Sequence, residues 1–146
     1  MWRSIAMQIS TALDRDFQLT DHKKMVGGDI NDVFRISDEN EHYFVKINQR
    51  SMSDLFALEA LSLEALAHKQ QLSVPRVITH GTTKDNAFLV LEYLPHLDEG
   101  ELNWQALGQQ LAEHHRQHDN AMFGWDQDNF IGRTPQINQW HRSWAS

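Results

Sequence analysis

A glycine pair, a lysine and a glutamate follow one another in an order that suits phosphate binding. Gly27-Gly28 comes first, Lys46 closes the apolar run 43–47, and Glu59 lies in the helix-like segment 55–69. A glycine turn leaves backbone N–H groups free to approach an anion. A strand lysine oriented by a helix glutamate supplies a positioned ammonium group, and phosphoryl-transfer enzymes hold the phosphates of ATP in this way. The combination therefore predicts an ATP-binding site.

Lys46 lies in a strand-like run whose alternate residues face opposite sides. Phe44 and Lys46 fall on one face, and Tyr43, Val45 and Ile47 fall on the other. A lysine in such a run either meets an anion or extends its ammonium group to solvent, as on an edge strand. The strand alone leaves both alternatives open.

Glu59 lies near the middle of the apolar side of its helix at about 100° per residue. The members of that apolar side are Leu55, Phe56, Leu63, Leu66 and Ala67. A buried carboxylate is costly unless it is paired, which makes Lys46 its natural partner. The alternative is a glutamate at the rim of a partly exposed helix.

The glycine pair is a weak motif by itself. The run 26–31 lacks the full Gly-x-Gly-x-x-Gly spacing, so its weight comes from its place before Lys46 and Glu59. Asp29 would repel a phosphate if it pointed inward, and we expect it to face solvent or a metal.

The segment 91–95 is typical of a link between two lobes that binds adenine through its backbone. By position, the carbonyl of Glu92 and the N–H of Leu94 flank Tyr93 and would meet the adenine edge. Leu91 would lie behind the ring and Val33 above it. The alternative is an apolar strand that ends in a proline turn.

Two histidines, His114 and His118, are four residues apart and would face one metal ion from a helix. The segment is not His-Glu-x-x-His and has no obvious third ligand, so we predict a solvated helix end and no metal site.

Periodicity and turn residues outline the elements that position these side chains. Trp2, Ile5, Ile9 and Leu13 predict a helix over 2–13. Ser53 or Asp54 would cap the helix near Leu55, and Asn103 would cap another that carries Trp104, Leu107, Leu111, His115 and His118. Strands are predicted at 23–26, 33–36, 43–47, from 74–78 to a stop at Gly81, and at 87–92. No clear periodicity follows Asp119.

Composition bounds the class of protein. The chain has 146 residues, 40% of them hydrophobic, and a net charge of −7 without a basic cluster, which argues against nucleic-acid and anionic-membrane binding. The absence of cysteine excludes disulfides and thiolate catalysis. No signal-peptide pattern or membrane-length apolar run is present, so we expect a cytoplasmic protein.

The chain resembles the fructosamine kinase (ketosamine-3-kinase) family, relatives of aminoglycoside and choline kinases. The resemblance covers nearly the whole sequence, including Phe44-Val45-Lys46, Val74-Pro75 and the run 88–94. Its most specific part is the tail, with Phe123-Gly124, Asp128-Asn129-Phe130-Ile131-Gly132, Thr134-Pro135-Gln136-Ile137-Asn138-Gln139-Trp140 and Trp144.

The resemblance implies an α+β, protein-kinase-like fold. Residues 1–94 would form the ATP-binding N-lobe, a five-stranded antiparallel sheet with one inserted helix, preceded by an N-terminal helix. Residues 95–146 would leave the hinge and begin the helical C-lobe. The implied reaction moves the γ-phosphate of ATP, with Mg²⁺, to the sugar of a small or protein-bound ketosamine, a step in deglycation. Lys46 would contact phosphates and Glu59 would orient it. Some members carry a cysteine in the glycine loop, where this chain has Asp29.

The family continues into a His-Gly-Asp-Leu-Trp-x-Gly-Asn loop and an Asp-Pro-Ala metal motif, and neither occurs in residues 1–146. We therefore expect no catalytic residue in this chain and no activity from it alone. Trp104, Trp125, Trp140 and Trp144 would face the missing part and favour self-association.

Three alternatives to a ketosamine kinase remain. In the first alternative the chain is part of a kinase for another small alcohol, such as an aminoglycoside or choline. In the second it is a non-catalytic module that binds nucleotide or a partner. A protein-serine kinase is the least consistent with the incomplete glycine motif.

Overall fold

The computed structural model of the chain describes residues 1–26, 30–69, 72–95, 103–117 and 121–144. Its helices are α1 (Trp2–Leu13), α2 (Ser53–His68) and α3 (Trp104–Arg116), with a 3-10 turn at Arg50–Met52 before α2. Its strands are β1 (Asp21–Lys24), β2 (Asp32–Ser37), β3 (His42–Gln49), β4 (Val77–Thr82), β5 (Asn86–Glu92), β6 (Asn129–Ile131) and β7 (Thr134–Gln136).

The main sheet has five antiparallel strands in the order β1-β2-β3-β5-β4, with α2 inserted between β3 and β4. This is the predicted architecture. β3 is the central strand, so Lys46 is not on an edge. Lys46 lies opposite Val33 on one side and Leu89 on the other, which places these three side chains on one face of the sheet.

Each face of the sheet is covered by one helix. α1 packs Ile5 and Ile9 onto one face, against a cluster completed by Phe17, Ile36, Tyr43, Val45, Ile47, Phe88 and Val90. α2 packs Phe56 and Ala60 onto the other face, against Ala87, Leu89 and Leu91, with Phe44 at the margin. The period-two alternation of β3 therefore separates two apolar cores, and Lys46 belongs to the α2 side.

A close contact holds α1 against β4. A Cβ at Gly81 would lie 2.5 Å from the side-chain oxygen of Gln8, whose Nε2 donates to the Thr82 carbonyl at 3.2 Å. Gly81 lies inside β4 and does not end it, contrary to the prediction, because the ladder to β5 continues through Thr82.

Two other boundary predictions are wrong for physical reasons. β1 begins at Asp21 and ends at Lys24, since its pairing with β2 sets its limits while all four residues are exposed. Val26, predicted in this strand, is fully exposed. Neither Ser53 nor Asp54 caps α2: the 3-10 turn runs directly into the helix, and the Ser53 N–H donates to the Arg50 carbonyl.

The region after α3 contains structure that periodicity did not predict. Asn103 caps α3 as predicted, its Oδ1 accepting from the Ala106 N–H at 3.0 Å. β6 and β7 then form a two-stranded hairpin around Gly132-Arg133, which we call the C-terminal hairpin. Gly132 has a φ of 64°, a value that favours glycine in a two-residue turn. Among the described residues, no helix has the length and apolar character needed to cross a membrane.

Arg15, just after α1, ties this helix to the turn between β2 and β3. Its guanidinium donates to Asp38 at 2.7 Å, to the Tyr43 hydroxyl at 3.2 Å and to Glu41. Burial opposes ionisation of Asp38. Hydrogen bonds from Arg15 and from the backbone N–H groups of Asn40 and Glu41 outweigh that effect and lower the pKa of Asp38.

We expect Asp38→Asn to lower the midpoint of thermal unfolding by about 3 °C at pH 7, because a charged hydrogen-bond partner is lost. A lowered pKa in the folded state stabilises the protein above the ordinary value of 3.8, and that stabilisation is lost as the pH falls through the folded value. The difference between wild type and variant should therefore be complete well above pH 3.8 and should shrink progressively as the pH falls below that value. Calorimetric scans from pH 3 to 8 would test this, with exposed Glu39→Gln as the control. A difference that persists unchanged at pH 3 would contradict the ionic role.

Candidate functional site

The Lys46 ammonium group donates to Glu59 Oε1 at 2.5 Å, joining the central strand to α2. Side-chain exposure is 25% for Lys46 and 28% for Glu59, so the pair is mostly shielded from water but still partly accessible. The two alternatives left by the sequence are both resolved: Lys46 is paired, and Glu59 is a partner although it is partly exposed. An accessible, oriented ammonium group suits an anionic ligand.

Two cavities meet at this pair. The first, the hinge cavity, has a volume of about 370 Å³. Its lining, besides Lys46 and Glu59, consists of Met25, Phe44, Leu63, Pro75, Leu91, Glu92, Tyr93 and Leu94. Most of these side chains are apolar, which suits a flat heterocycle better than a charged group.

The second cavity, the polar cavity, has a volume of about 420 Å³ and lies between the start of β2 and the C-terminal hairpin. Besides Lys46 and Glu59, its lining consists of Ile30, Asn31, Leu55, Leu58, Ser62, Asn129, Phe130 and Gly132. Lys46 is thus at the boundary between an apolar compartment and a compartment that contains amide and hydroxyl groups.

Ile30 and Asn31, just before β2, are fixed to β3 by one asparagine. Asn48 Nδ2 donates to the Ile30 carbonyl at 3.0 Å and to Asn31 Oδ1 at 2.7 Å. Asn48 Oδ1 accepts from the Gln49 N–H at 2.7 Å. Ile30 and Asn31 are therefore held at the cavity that Lys46 also lines.

The C-terminal hairpin is fixed by a second asparagine, Asn138. Its Nδ2 donates to the Gln127 carbonyl at 3.1 Å and to Asn129 Oδ1 at 2.9 Å, and its N–H donates to Asp128 Oδ1 at 2.8 Å. Its carbonyl accepts from the Trp125 N–H at 2.9 Å. Asn138 therefore closes the 126–129 loop in which the polar cavity's Asn129 is held.

The other unusual residues of the tail also have structural roles. Trp140 Nε1 donates to Asp126 at 3.2 Å. A Cβ at Gly124, where φ is 149°, would lie 2.7 Å from the Gln139 carbonyl oxygen. Phe123 pairs with His141 through two backbone hydrogen bonds of 2.8 and 2.7 Å. The residues of the tail motif thus hold the loops of this segment together.

The functional roles of the predicted site residues remain predictions. Gly27, Gly28 and Asp29 lie outside the described residues, as does His118. Val33 is buried opposite Lys46. Glu92 ends β5, and its N–H donates to the Arg76 carbonyl at 2.8 Å. No group of three or more His, Cys, Asp or Glu side chains suited to a metal ion occurs in the part of the chain that the structure describes.

Sequence reasoning missed Met25 in the hinge cavity and the whole hairpin side of the polar cavity. For Met25 no sequence signal is evident, since its position depends on the path of the chain beyond β1. For the hairpin, the signal is Gly132-Arg133 between two three-residue runs, the length of a two-residue hairpin turn.

Comparison with known proteins gives a consistent result. The family model described as fructosamine kinase matches residues 1–146. The chain is 44% identical to a "Probable ketoamine kinase" of Vibrio cholerae, covering 99% of this chain and 51% of that protein. It is 42% identical to a similarly named protein of Synechocystis, covering 99% of this chain and 49% of that protein.

A solved structure agrees with the fold. The crystal structure of a protein assigned as a fructosamine-3-kinase of Haemophilus somnus superposes with a TM-score of 0.93 at 30% identity, covering 99% of this chain and 49% of that one. The fold is therefore kinase-like. The chain spans about half the length of the relatives it matches and corresponds to their N-terminal portion.

We expect Glu59→Leu to lower the free energy of unfolding by about 1–2 kcal/mol, because it leaves the partly shielded Lys46 ammonium without its partner. The double variant Lys46→Met/Glu59→Leu should recover most of this loss, since it removes both charges. Denaturant unfolding of all four proteins in the double-mutant cycle measures the coupling. Glu64→Leu makes the same change on the exposed side of α2 and should have little effect. A coupling energy near zero would mean that the pair does not contribute to stability.

Proposed function

The chain belongs to the fructosamine kinase family, and from that premise we propose that it is the ATP-binding portion of a kinase that phosphorylates the sugar of ketosamines. The proposal of ATP binding is supported above all by one observation. The Lys46–Glu59 pair lies between the hinge cavity and the polar cavity. The two cavities match the two ends of ATP, since the base at one end is apolar and the phosphates at the other end are polyanionic.

The hinge cavity is our proposed adenine site. Phe44, Leu63 and Leu91 contribute an apolar surface beneath the ring. The Glu92 carbonyl and the Leu94 N–H are assigned to the adenine edge, an expectation based on their position at the end of β5. Backbone recognition of this kind needs no particular side chain, which agrees with the exposure of both residues.

The polar cavity is our proposed phosphate site. Lys46 supplies the one ammonium group in its described lining, and Glu59 holds that group in place. Gly27 and Gly28 are assigned to the same site through their backbone N–H groups, as the sequence order predicts.

The residues that perform the transfer are assigned to the part of the family outside these 146 residues. A general base must accept the proton of the sugar hydroxyl as the phosphoryl group leaves ADP, and residues 1–146 contain no His-Gly-Asp motif. The described residues also lack a carboxylate cluster for Mg²⁺, so we assign no residue of this chain to the ion, which would enter bound to ATP.

The choice of a ketosamine as phosphate acceptor rests on the family, with deglycation as the proposed role and the cytoplasm as the proposed compartment. The tail from Phe123 to Trp144 favours this acceptor over an aminoglycoside or choline, since it carries the most specific part of the resemblance.

We expect residues 1–146 to bind Mg²⁺-ATP weakly and to transfer no phosphate to fructosyl-lysine. Thermal unfolding with and without millimolar Mg²⁺-ATP would measure binding, and a coupled assay of ADP release would measure transfer. Lys46→Ala should abolish the thermal shift because it removes the positioned ammonium group.

Lys84→Ala is the matched control, since Lys84 is exposed in the turn between β4 and β5. A thermal shift retained in Lys46→Ala would contradict the assigned phosphate site. Phosphorylation of fructosyl-lysine by the chain alone would contradict the assignment of the chemistry to residues outside it.

We also propose that residues 1–146 self-associate. Trp104, Trp125 and Trp144 are 67%, 39% and 85% exposed, which leaves a large apolar area in water. Trp140, predicted to join them, is instead half-buried and bonded to Asp126.

Light scattering should therefore give a mass that rises with concentration above that of the 17.0 kDa monomer. Trp104→Gln/Trp144→Gln should reduce the rise, because it removes the two most exposed of these rings. A constant monomer mass across micromolar to millimolar concentrations would exclude the proposal.

A further inference from the structure

Two asparagine pairs with the same hydrogen-bond arrangement border the polar cavity. In each pair, one asparagine uses its Nδ2 to hold both a backbone carbonyl and the Oδ1 of the other. Asn48 holds Asn31 at the start of β2, and Asn138 holds Asn129 on the hairpin side. The held residues, Asn31 and Asn129, both line the cavity.

Backbone partners fix which way each amide points. Asn48 Nδ2 contacts the Ile30 carbonyl, which can only accept, and Asn48 Oδ1 contacts the Gln49 N–H, which can only donate. Asn138 Nδ2 likewise contacts the Gln127 carbonyl. Asn31 and Asn129 must therefore each present Oδ1 to their partner.

This arrangement leaves Asn31 and Asn129 as donors. Their oxygens are occupied, and no residue in the described part of the chain accepts a hydrogen bond from the Nδ2 of either one. Each Nδ2 carries two N–H groups. Together with the Lys46 ammonium group, the cavity lining thus contains donors from three residues, while Oε1 of the one carboxylate in its described lining, Glu59, accepts from Lys46.

We propose that Asn31 and Asn129 form an amide clamp that binds phosphate oxygens of the nucleotide, with Asn48 and Asn138 as the positioning residues. A phosphate group accepts hydrogen bonds at several oxygens, which matches a set of donors better than a sugar hydroxyl that must also donate. The proposal rests on the ATP-binding function proposed above and adds the hairpin side of the cavity to the site.

The clamp acts on the outer phosphates. Lys46 and Glu59 line both cavities, whereas Asn31 and Asn129 line the polar cavity and are absent from the lining of the hinge cavity. With adenine in the hinge cavity, the clamp lies beyond Lys46. Asn31 and Asn129 should therefore discriminate ATP from ADP and adenosine.

The test measures dissociation constants of Mg²⁺-ATP, Mg²⁺-ADP and adenosine for the full chain and its variants. Asn129→Ala should weaken ATP binding about tenfold and leave adenosine binding unchanged. Asn129→Asp should weaken ATP binding further, since the carboxylate still accepts from Asn138 but repels phosphate. Gln139→Ala removes an exposed amide of the same segment and should change none of the three constants.

Two results would overturn the clamp. Unchanged ATP affinity in Asn129→Ala would show that any loss in Asn129→Asp is charge repulsion alone. Equal losses for ATP and adenosine would show a general structural defect, which the midpoint of thermal unfolding of each variant would reveal independently.

A second experiment tests the clamp independently of the proposed nucleotide binding. In ¹⁵N-labelled chain, the side-chain amide signals of Asn31 and Asn129 should shift with sodium tripolyphosphate, which has no adenine, and should not shift with fructosyl-lysine. Amide shifts with tripolyphosphate but no binding of Mg²⁺-ATP would reject the nucleotide function and retain the anion site. Mg²⁺-ATP binding without amide shifts would reject the clamp alone, and shifts with fructosyl-lysine in its place would make the site a sugar subsite.

Discussion

The contact between Lys46 and Glu59 sets the relation between the sheet and α2, and the candidate site depends on that relation. The pair joins the central strand to the helix that covers one face, at the edge of the apolar cluster of Phe56, Ala60 and Leu89. A charged pair placed deeper would lose more in desolvation than it gains, and one placed in open water would contribute little. At about one quarter exposure, the pair is shielded enough to be ordered and open enough for the ammonium group to reach a ligand.

The two faces of the sheet have different roles. The α1 side contains the larger apolar cluster and is tied to the turn between β2 and β3 by Arg15, whose hydrogen bonds with Glu41 and Asp38 do not extend to the cavities. The α2 side accommodates Lys46, Glu59 and both cavities. Packing that stabilises the sheet is therefore largely separate from the proposed binding surface, which lets that face keep polar groups.

The parts of this arrangement that follow local rules could be predicted from the sequence. The alternation of β3, the apolar spacing of α1 and the Asn103 cap each depend on a few neighbouring residues, and the structure confirms all three. The start of α2 and the limits of β1 could not be predicted in the same way, because a 3-10 turn and an edge-strand pairing determine them. The pairing of Asn129 with Asn138 spans nine residues across the C-terminal hairpin, and no periodic signal in the sequence marks it.

A chain with a net charge of −7 can still bind a polyanion when the local donors outweigh the distant charges. At physiological ionic strength, charges on an exposed surface are screened beyond about 8 Å, so the acidic residues elsewhere act only weakly on the polar cavity. Within that cavity the charge of the Lys46 ammonium group is neutralised in part by Glu59, so its attraction for the proposed phosphate ligand is reduced. Neutral amides then become important: held by backbone-anchored partners, they offer hydrogen bonds to phosphate without adding charge and without first having to be ordered. In the proposed phosphate site, the asparagine pairs therefore supply the hydrogen-bond donors for several phosphate oxygens that a single described lysine does not.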